Sequence, residues 1–209
     1  NDAQHDFLIY TTASDSNLDI LGNAFRMPAS RFKHRSVPGR TGVWWEQVVL
    51  PRVARHDHLD VFFGPGYSVP LRLSVPRVVT LHDISFTAHP EWFGWQEGCR
   101  RRWLARRSAT RANIVVTVSE FSRQEIVRHF NLDPARISVV HNGIRPIATP
   151  ATTTGAPLVL YVGSIFNRRH LPTLIEAFAQ VAQRVPNAEL AIVARKNQIM
   201  TIHDAKGAA

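Results

Sequence analysis

Short apolar runs that alternate with amphipathic stretches constrain the fold of this 209-residue chain more than any other feature. The runs are nearly continuous rather than alternating, which is typical of strands buried on both faces of a parallel sheet. They lie at residues 6–10, 60–63, 77–81, 113–118, 137–140, 157–162 and 188–193. Apolar residues at helical spacing occur between them, in 43–55, 97–110, 120–130 and 171–184. Strands that alternate with helices predict an α/β fold.

A segment with little apolar surface to bury divides the chain. Residues 144–156 are rich in Thr, Pro and Ala, so we interpret them as a linker. The linker would join an N-terminal domain, 1–143, to a C-terminal domain, 157–209. The residues after Asn197 are small or polar, and we expect them to be the least ordered part of the chain.

Composition and charge narrow the class of protein. Hydrophobic residues make up 44% of the chain, enough for a globular core, and no run reaches the roughly 18 apolar residues of a membrane-spanning helix. A single cysteine, Cys99, excludes an internal disulfide framework and a cysteine-based zinc site. The net charge of +9, carried mostly by arginine, favours phosphates, nucleic acid or anionic lipid as partners. The planar guanidinium group favours phosphorylated ligands among these.

The first candidate for chemistry is His82, which follows a predicted buried strand and precedes Asp83. Ligands of open α/β sheets bind beyond the carboxyl ends of the strands. A histidine in that position can donate a hydrogen bond, move a proton or line a sugar pocket. The alternative is a turn histidine whose ring is satisfied by neighbouring backbone groups.

The second candidate is the loop after the strand 157–162. Gly163 ends this strand, and Arg168 and Arg169 follow in the loop before the next helix. Glycine lets the backbone approach a ligand closely, and two guanidinium groups can neutralise a diphosphate. The alternative is a solvated loop with basic residues.

Two further patterns are open to more than one interpretation. The run 56–60 (HDHLD) offers His56, His58 and a carboxylate as metal ligands, but a polar turn before a strand explains it as well. The basic segment 100–107 (RRRWLARR) predicts a helix whose arginines face solvent while Trp103 and Leu104 pack inward. Contact with an anionic membrane is the second interpretation, and no motif indicates nucleic-acid binding.

Taken together, six motifs in order resemble retaining glycosyltransferases of family 4, the group 1 type. The motifs are 45–51 (WEQVVLP), 78–83 (VVTLHD), 89–91 (HPE), 118–122 (VSEFS), 140–144 (VHNGI), and 162–163 with 168–178 (VG … RRHLPTLIEAF). The similarity extends from Trp45 to Val193 and is strongest to bacterial mannosyltransferases of surface-polysaccharide assembly.

The resemblance implies the GT-B architecture, in which two Rossmann-like domains face each other across a cleft. The N-terminal domain would have a parallel sheet and bind the acceptor, and the chain would hold the beginning of the C-terminal domain that binds the donor. By this similarity His82 contacts the donor sugar at the reacting centre. Gly163, Arg168 and Arg169 would bind the diphosphate, and Arg169 occupies a position where lysine is usual.

The resemblance also implies the substrates and the location. A hexose, such as mannose, would pass from a nucleotide sugar, such as GDP-mannose or a UDP-sugar, to a glycan or lipid-linked acceptor with retention of configuration. No metal and no cofactor would be needed. Asp83 and Ser119 are candidate cleft-lining residues. The protein is expected to be cytoplasmic, in peripheral contact with the inner face of an anionic membrane.

Three departures from the family pattern lead to an alternative. The glycine-rich loop after the first strand is absent, Arg145 follows 142–144 where aspartate is usual, and no pair of glutamates has the family's E-x7-E spacing. We therefore expect the chain to be truncated at both ends. The alternative to an active enzyme is an inactive remnant that keeps only acceptor or membrane-surface binding. A metal hydrolase using His56, His58 and His82 is a third hypothesis.

Overall fold

The computed structural model of the chain describes residues 5–12, 29–144, 155–164, 169–194 and 198–202. The chain divides into two compact units, Asn1–Gly143 and Ile144–Ala209. Most of the predicted linker, residues 145–154, lies outside the described residues, and Ile144 before it is 93% exposed. None of the described helices is both long and apolar enough to cross a bilayer.

The first unit alternates strands and helices over its described residues. Its strands are β1 (Phe7–Thr11), β2 (Phe32–Ser36), β3 (Phe62–Gly64), β4 (Arg77–Thr80), β5 (Ile114–Thr117) and β6 (Ile137–Val139). A π-helical segment (Trp45–Val49) continues into α1 (Leu50–Ala54), and the later helices are α2 (Ser85–Ala88), α3 (Trp95–Arg111) and α4 (Glu120–Phe130). Short 3-10 turns occupy Ala29–Arg31, Pro90–Trp92 and Pro134–Arg136.

The main sheet has the strand order β3-β4-β5-β6, and every neighbouring pair is parallel. Val79 pairs with Gly64 on one side and Val115 on the other, and Val115 pairs with Ile137. Because α2 and α3 connect β4 to β5, and α4 connects β5 to β6, each connection has the crossover that parallel strands require. The predicted α/β fold with a parallel sheet over 60–140 is confirmed. Strands β1 and β2 form a separate parallel pair.

The helices of the first unit cover one face of its sheet. Val79, Val115 and Ile137 on the strands are buried against Ala105, Ala109, Ile126 and Phe130 from α3 and α4, in one cluster. Neighbouring side chains on the strands alternate with these, since Val115 is fully buried whereas Ile114 is 37% exposed. Among the described residues, α3 and α4 thus cover one face of this sheet, while Ile114 on the other face is partly exposed.

Helix α3 differs from its prediction at one residue. Leu104 is buried as expected, but Trp103 is 56% exposed. The buried positions of this helix are Gly98, Leu104, Ala105, Ser108 and Ala109, which share one stripe at helical spacing. Position 103 lies outside this stripe because consecutive residues of a helix point about 100° apart.

The second unit is smaller and has three strands among its described residues. Strand β7 (Leu158–Val162) pairs in parallel with β8 (Glu189–Ala194), and α5 (Leu171–Arg184) connects them. Phe178 of α5 packs on Leu190 and Ile192 of β8. Strand β9 (Gln198–Ile202) adds to β8 in antiparallel orientation. Residues 198–202, which the sequence alone did not predict as a strand, thus pair with the edge of β8.

Candidate functional site

Several polar side chains lie at the carboxyl edge of the main sheet. The first of them is His82. It follows β4 by two residues and is exposed to solvent, at the end of the strand where it was predicted. Its Nε2 donates to the carbonyl oxygen of Pro65 at 3.1 Å. Because a carbonyl can only accept, this bond keeps the proton on Nε2 and leaves Nδ1 as an acceptor.

The backbone of His82 is fixed by helix α4, which follows the neighbouring strand β5. Ser122 Oγ, in the first turn of α4, donates to the carbonyl oxygen of His82 at 3.1 Å. Ser119 is the N-cap of this helix, and its Oγ accepts from the Ser122 amide at 3.1 Å. The predicted cleft residue Ser119 thus begins α4, and Ser122 is the serine that reaches the histidine.

Tyr67 packs beside His82 in the loop that follows β3. Its ring meets the His82 ring edge-on with centroids 5.7 Å apart, and its hydroxyl donates to Asp83 Oδ2 at 3.1 Å. Burial, followed by the negative charge of Asp83 and the hydrogen bond to it, raises the pKa of Tyr67 to about 12. The phenol therefore stays protonated near neutral pH, where it can only donate to this carboxylate.

Asp83 connects this loop to the next helix. Its Oδ1 accepts from the Ser85 amide at 2.8 Å and from Ser85 Oγ at 2.7 Å. With Tyr67 on its other oxygen, the exposed carboxylate orients the start of α2 as well as the tyrosine. The predicted cleft residue thus lies beside His82 and makes several hydrogen bonds there.

The conformation of the loop from Gly64 to Val69 depends on a glycine and on hydrogen bonds from the π-helical segment. Tyr67 has a φ of 64°, in the left-handed region, and a Cβ on Gly64 would lie 2.5 Å from the Ser68 carbonyl oxygen. From the π-helical segment, Gln47 Nε2 donates to Val69 O at 2.9 Å, and Ser68 Oγ donates to Glu46 Oε2 at 2.7 Å. Burial raises the pKa of Glu46, while the hydrogen bonds from Ser68 and Gln47 oppose the rise.

A second histidine lies at the same edge, after β6. His141 Nδ1 donates to the carbonyl oxygen of Val118 at 3.2 Å, so its Nε2 is the acceptor in the neutral ring. His141 is exposed, like His82. The edge thus presents two imidazoles, each fixed by one backbone carbonyl, and in the described part of the chain the other nitrogen of each ring has no hydrogen-bond partner.

The predicted diphosphate residues belong to the second unit. Gly163 ends β7, and its amide already donates to Val193 O at 3.0 Å. Arg169 is exposed and stands just before His170, the N-cap of α5, which has a φ of 50°. Arg168 lies outside the described residues, so its role stays a prediction. Within the first unit, the structure brings His82, Asp83 and the Ser119 cap together. Gly163 and Arg169 belong to the second unit, which is described separately.

The segment 56–60 has other partners than a metal. Asp57, whose side chain is only 8% exposed, accepts from the Tyr10 hydroxyl at 2.6 Å and forms an ion pair with Arg35. His58 adopts a left-handed φ of 48°, as expected for a turn. Within the described ranges, no group of three or more His, Cys, Asp or Glu side chains could hold a metal ion.

Sequence reasoning missed four residues that shape the edge: Pro65, Tyr67, Ser122 and His141. The sequence Gly64-Pro65-Gly66 is typical of a loop, and Ser122 with Glu125 is typical of a helix cap, so neither pattern by itself indicates a site. Tyr67 lies in the loop between the apolar runs 60–63 and 77–81, where no periodic pattern distinguishes it. Its function depends on a fold that returns the loop onto His82.

Comparison with known proteins identifies the family to which the chain belongs. Residues 1–146 match Glycosyltransferase Family 4. The O-antigen chain mannosyltransferase B of Escherichia coli is 28% identical over 138 residues, which cover 60% of this chain and 36% of that protein. Glycogen synthase of Mycobacterium tuberculosis strain H37Rv is 27% identical over 154 residues, covering 68% of this chain and 36% of the relative.

The match to solved structures concerns the fold. The crystal structure of TarM superposes with a TM-score of 0.55 at 14% identity, covering 70% of this chain and 30% of TarM. The chain spans little more than a third of the length of the curated relatives it matches. The family match covers more than half of the chain, so the chain belongs to glycosyltransferase family 4.

Proposed function

We propose that this chain provides the acceptor-side domain, and the first part of the donor domain, of a glycosyltransferase. The enzyme would transfer a hexose from a nucleotide sugar to a glycan or lipid-linked acceptor with retention of configuration. The family membership and the similarity to a mannosyltransferase and a glycogen synthase support this proposal. The observation that carries it is an exposed histidine, fixed in one tautomer, at the carboxyl edge of a parallel sheet.

His82 would contact the donor sugar in this reaction. Its Nδ1 is the acceptor nitrogen, so it would accept a hydrogen bond from a sugar hydroxyl while Nε2 stays on Pro65. Ser122 and Tyr67 would keep the ring in place, since one binds the His82 carbonyl and the other packs on the imidazole. A ring held this way loses little conformational entropy when the sugar binds.

The leaving diphosphate would be stabilised by groups of the second unit. As the bond from the sugar C1 to the phosphate oxygen breaks, the acceptor oxygen bonds to C1 on the same face, and its proton passes to the leaving phosphate. Arg169 is exposed, and the N-terminus of the 14-residue helix α5 carries a partial positive charge. Both would stabilise the developing negative charge, with Arg168 as a further predicted contact.

Purified protein that contains this chain tests the proposal with GDP-mannose, UDP-glucose and related donors. We expect His82→Ala to lower turnover of the preferred donor by roughly a hundredfold or more, the scale of losing a contact to the reacting centre. His58→Ala, at an exposed turn outside the edge, is the matched control and should leave turnover unchanged. Equal turnover in both variants would contradict the role of His82. Donor binding without turnover in the unsubstituted protein would favour an inactive remnant.

A further inference from the structure

We propose that the outer face of α3 binds the surface of an anionic lipid bilayer. This outer face consists of Trp95, Arg100, Trp103, Arg106 and Arg107. It lies opposite the stripe of α3 that packs on the sheet, and only Arg100, at its margin, also lines the cavity beside Tyr67 and Ser68. The inference concerns where the protein binds and does not depend on the reaction proposed above.

Trp103 is the centre of the outer face. Arg100 lies three residues before it, and Arg106 and Arg107 lie three and four residues after it, so all three are its neighbours on the helix surface. All three arginines are exposed. Trp95, eight residues earlier, is 79% exposed, and Trp103 is 56% exposed. Two large indole rings are thus exposed to solvent among cations.

The orientation of α3 is fixed by its inner side. Ser108 Oγ, which is fully buried, accepts from the Val69 amide at 3.2 Å. Arg102 donates to the Phe86 carbonyl oxygen at 3.0 Å, and Leu104 and Ala105 are buried. The helix cannot turn Trp103 inward without breaking these contacts. The exposed indoles are therefore a constant feature of the folded first unit.

The charge of the outer face is not neutralised within the described residues. Glu97, the only acidic residue of α3, pairs with Arg101 at 2.6 Å, outside the set defined above. No ion pair among the described residues involves Arg100, Arg106 or Arg107. A face with three unpaired cations attracts an anionic surface, and the attraction should weaken with salt.

The combination with tryptophan identifies the partner as a bilayer. Indole rings settle at the level of the lipid headgroups, where the ring leaves water while its N–H and the nearby guanidinium groups stay with the phosphates. A purely electrostatic polyanion site would need the arginines but not the two exposed rings. The aromatic and cationic residues together match an interfacial helix that lies flat on the membrane.

Vesicle sedimentation with the 209-residue chain tests the proposal. We expect binding to phosphatidylcholine vesicles that contain phosphatidylglycerol, and little binding to pure phosphatidylcholine. Arg106→Gln with Arg107→Gln should weaken the partition coefficient by about 25-fold, at about fivefold per arginine. The matched control is Arg52→Gln with Arg55→Gln, which removes the same charge from exposed positions elsewhere and should change binding much less.

A second readout, fluorescence quenching, begins with the unsubstituted chain. Brominated acyl chains should quench the tryptophan fluorescence of the bound protein, and replacing Trp95 and Trp103 by phenylalanine should remove most of that quenching. Equal binding to neutral and anionic vesicles, equal loss in the two arginine double variants, or binding without quenching would each overturn the proposal. Binding to single-stranded RNA without binding to vesicles would also overturn it and assign the outer face to a polyanion.

Discussion

The two units use the same order of strand, helix and strand but bury very different amounts of it. In the first unit, α3 and α4 cover a four-stranded sheet, and its core includes Val79, Val115 and Ile126, all fully buried. In the second unit, Leu158, Leu160 and Val162 along one side of β7 remain 57%, 57% and 69% exposed. One described helix cannot cover both faces of a sheet. The comparison indicates that a strand's apolar sequence predicts its existence better than its burial.

The same contrast applies to the functional groups. His82 is held by Pro65 through its ring, by Ser122 through its carbonyl, and by contact with Tyr67. Arg169 has no ion pair among the described residues and stands exposed before α5. The first unit therefore presents a preorganised group, whereas the second presents a charge whose position a ligand would have to fix.

The largest effect should come from truncating the core of the smaller unit. Phe178 is 3% exposed and is the only buried residue of α5, so Phe178→Ala should cost about 3–5 kcal/mol and unfold the second unit. Ile126→Ala in α4 removes a fully buried side chain at a cost of about 2–5 kcal/mol, but the first unit should stay folded.

Hydrogen exchange measured on peptides from β8 and β5 distinguishes the outcomes of these two variants. Phe178→Ala should abolish protection in β8 and leave β5 protected, because the units have separate cores. Simultaneous loss of protection in both strands would show that the two units unfold as one cooperative unit, which would contradict the statement that their cores are separate.

A smaller effect should follow from changing the loop that holds His82. Gly64→Ala places a Cβ 2.5 Å from Ser68 O and 2.6 Å from Val69 Cγ1, so the loop must shift at a cost of about 1–3 kcal/mol. Gly66→Ala, two residues on, has no atom within 4 Å of the new Cβ and serves as the control. Thermal unfolding should show a lower Tm for Gly64→Ala alone. Equal Tm values would mean that the loop accommodates the methyl group.

The smallest effect should be the pH dependence contributed by Glu46. Burial raises its pKa, so the folded chain binds this proton more tightly than the unfolded chain, where the pKa is near 4.5. Ionised Glu46 thus costs stability at neutral pH, and the cost is relieved as the pH falls through the raised pKa. Relative to Glu46→Gln, the natural chain should gain stability between neutral pH and 4.5 and gain no more below. Urea unfolding of both chains at several pH values measures this, and parallel curves would contradict it.

The sequence was sufficient for the α/β class and the carboxyl-edge position of His82, because both follow from the order of apolar runs. Helix α4 was predicted over 120–130 and spans Glu120–Phe130, since Ser119 caps it and the stripe ending in Phe130 is regular. Local patterns of this kind need no information about distant contacts.

The sequence was insufficient where the outcome depends on which faces meet. Trp103 was assigned to the core as an apolar residue, but packing selected the stripe with Leu104 and small residues instead. Strand β9 was missed because its pairing with β8 is a tertiary contact. Tyr67 and Pro65 become site residues only when the loop after β3 folds back on β4, as the bond from the Tyr67 amide to Thr80 O shows.

Backbone NMR of the chain during addition of UDP-glucose or GDP-mannose tests the proposed donor site most directly. The account predicts that one of these donors shifts amide signals at 65–68, 82–83 and 119–122 of the first unit, and at 163–170 of the second. His82→Ala should remove the shifts at the first-unit positions while those near Arg169 persist. Shifts confined to residues away from the carboxyl edge, or identical shifts in the natural chain and His82→Ala, would contradict the account.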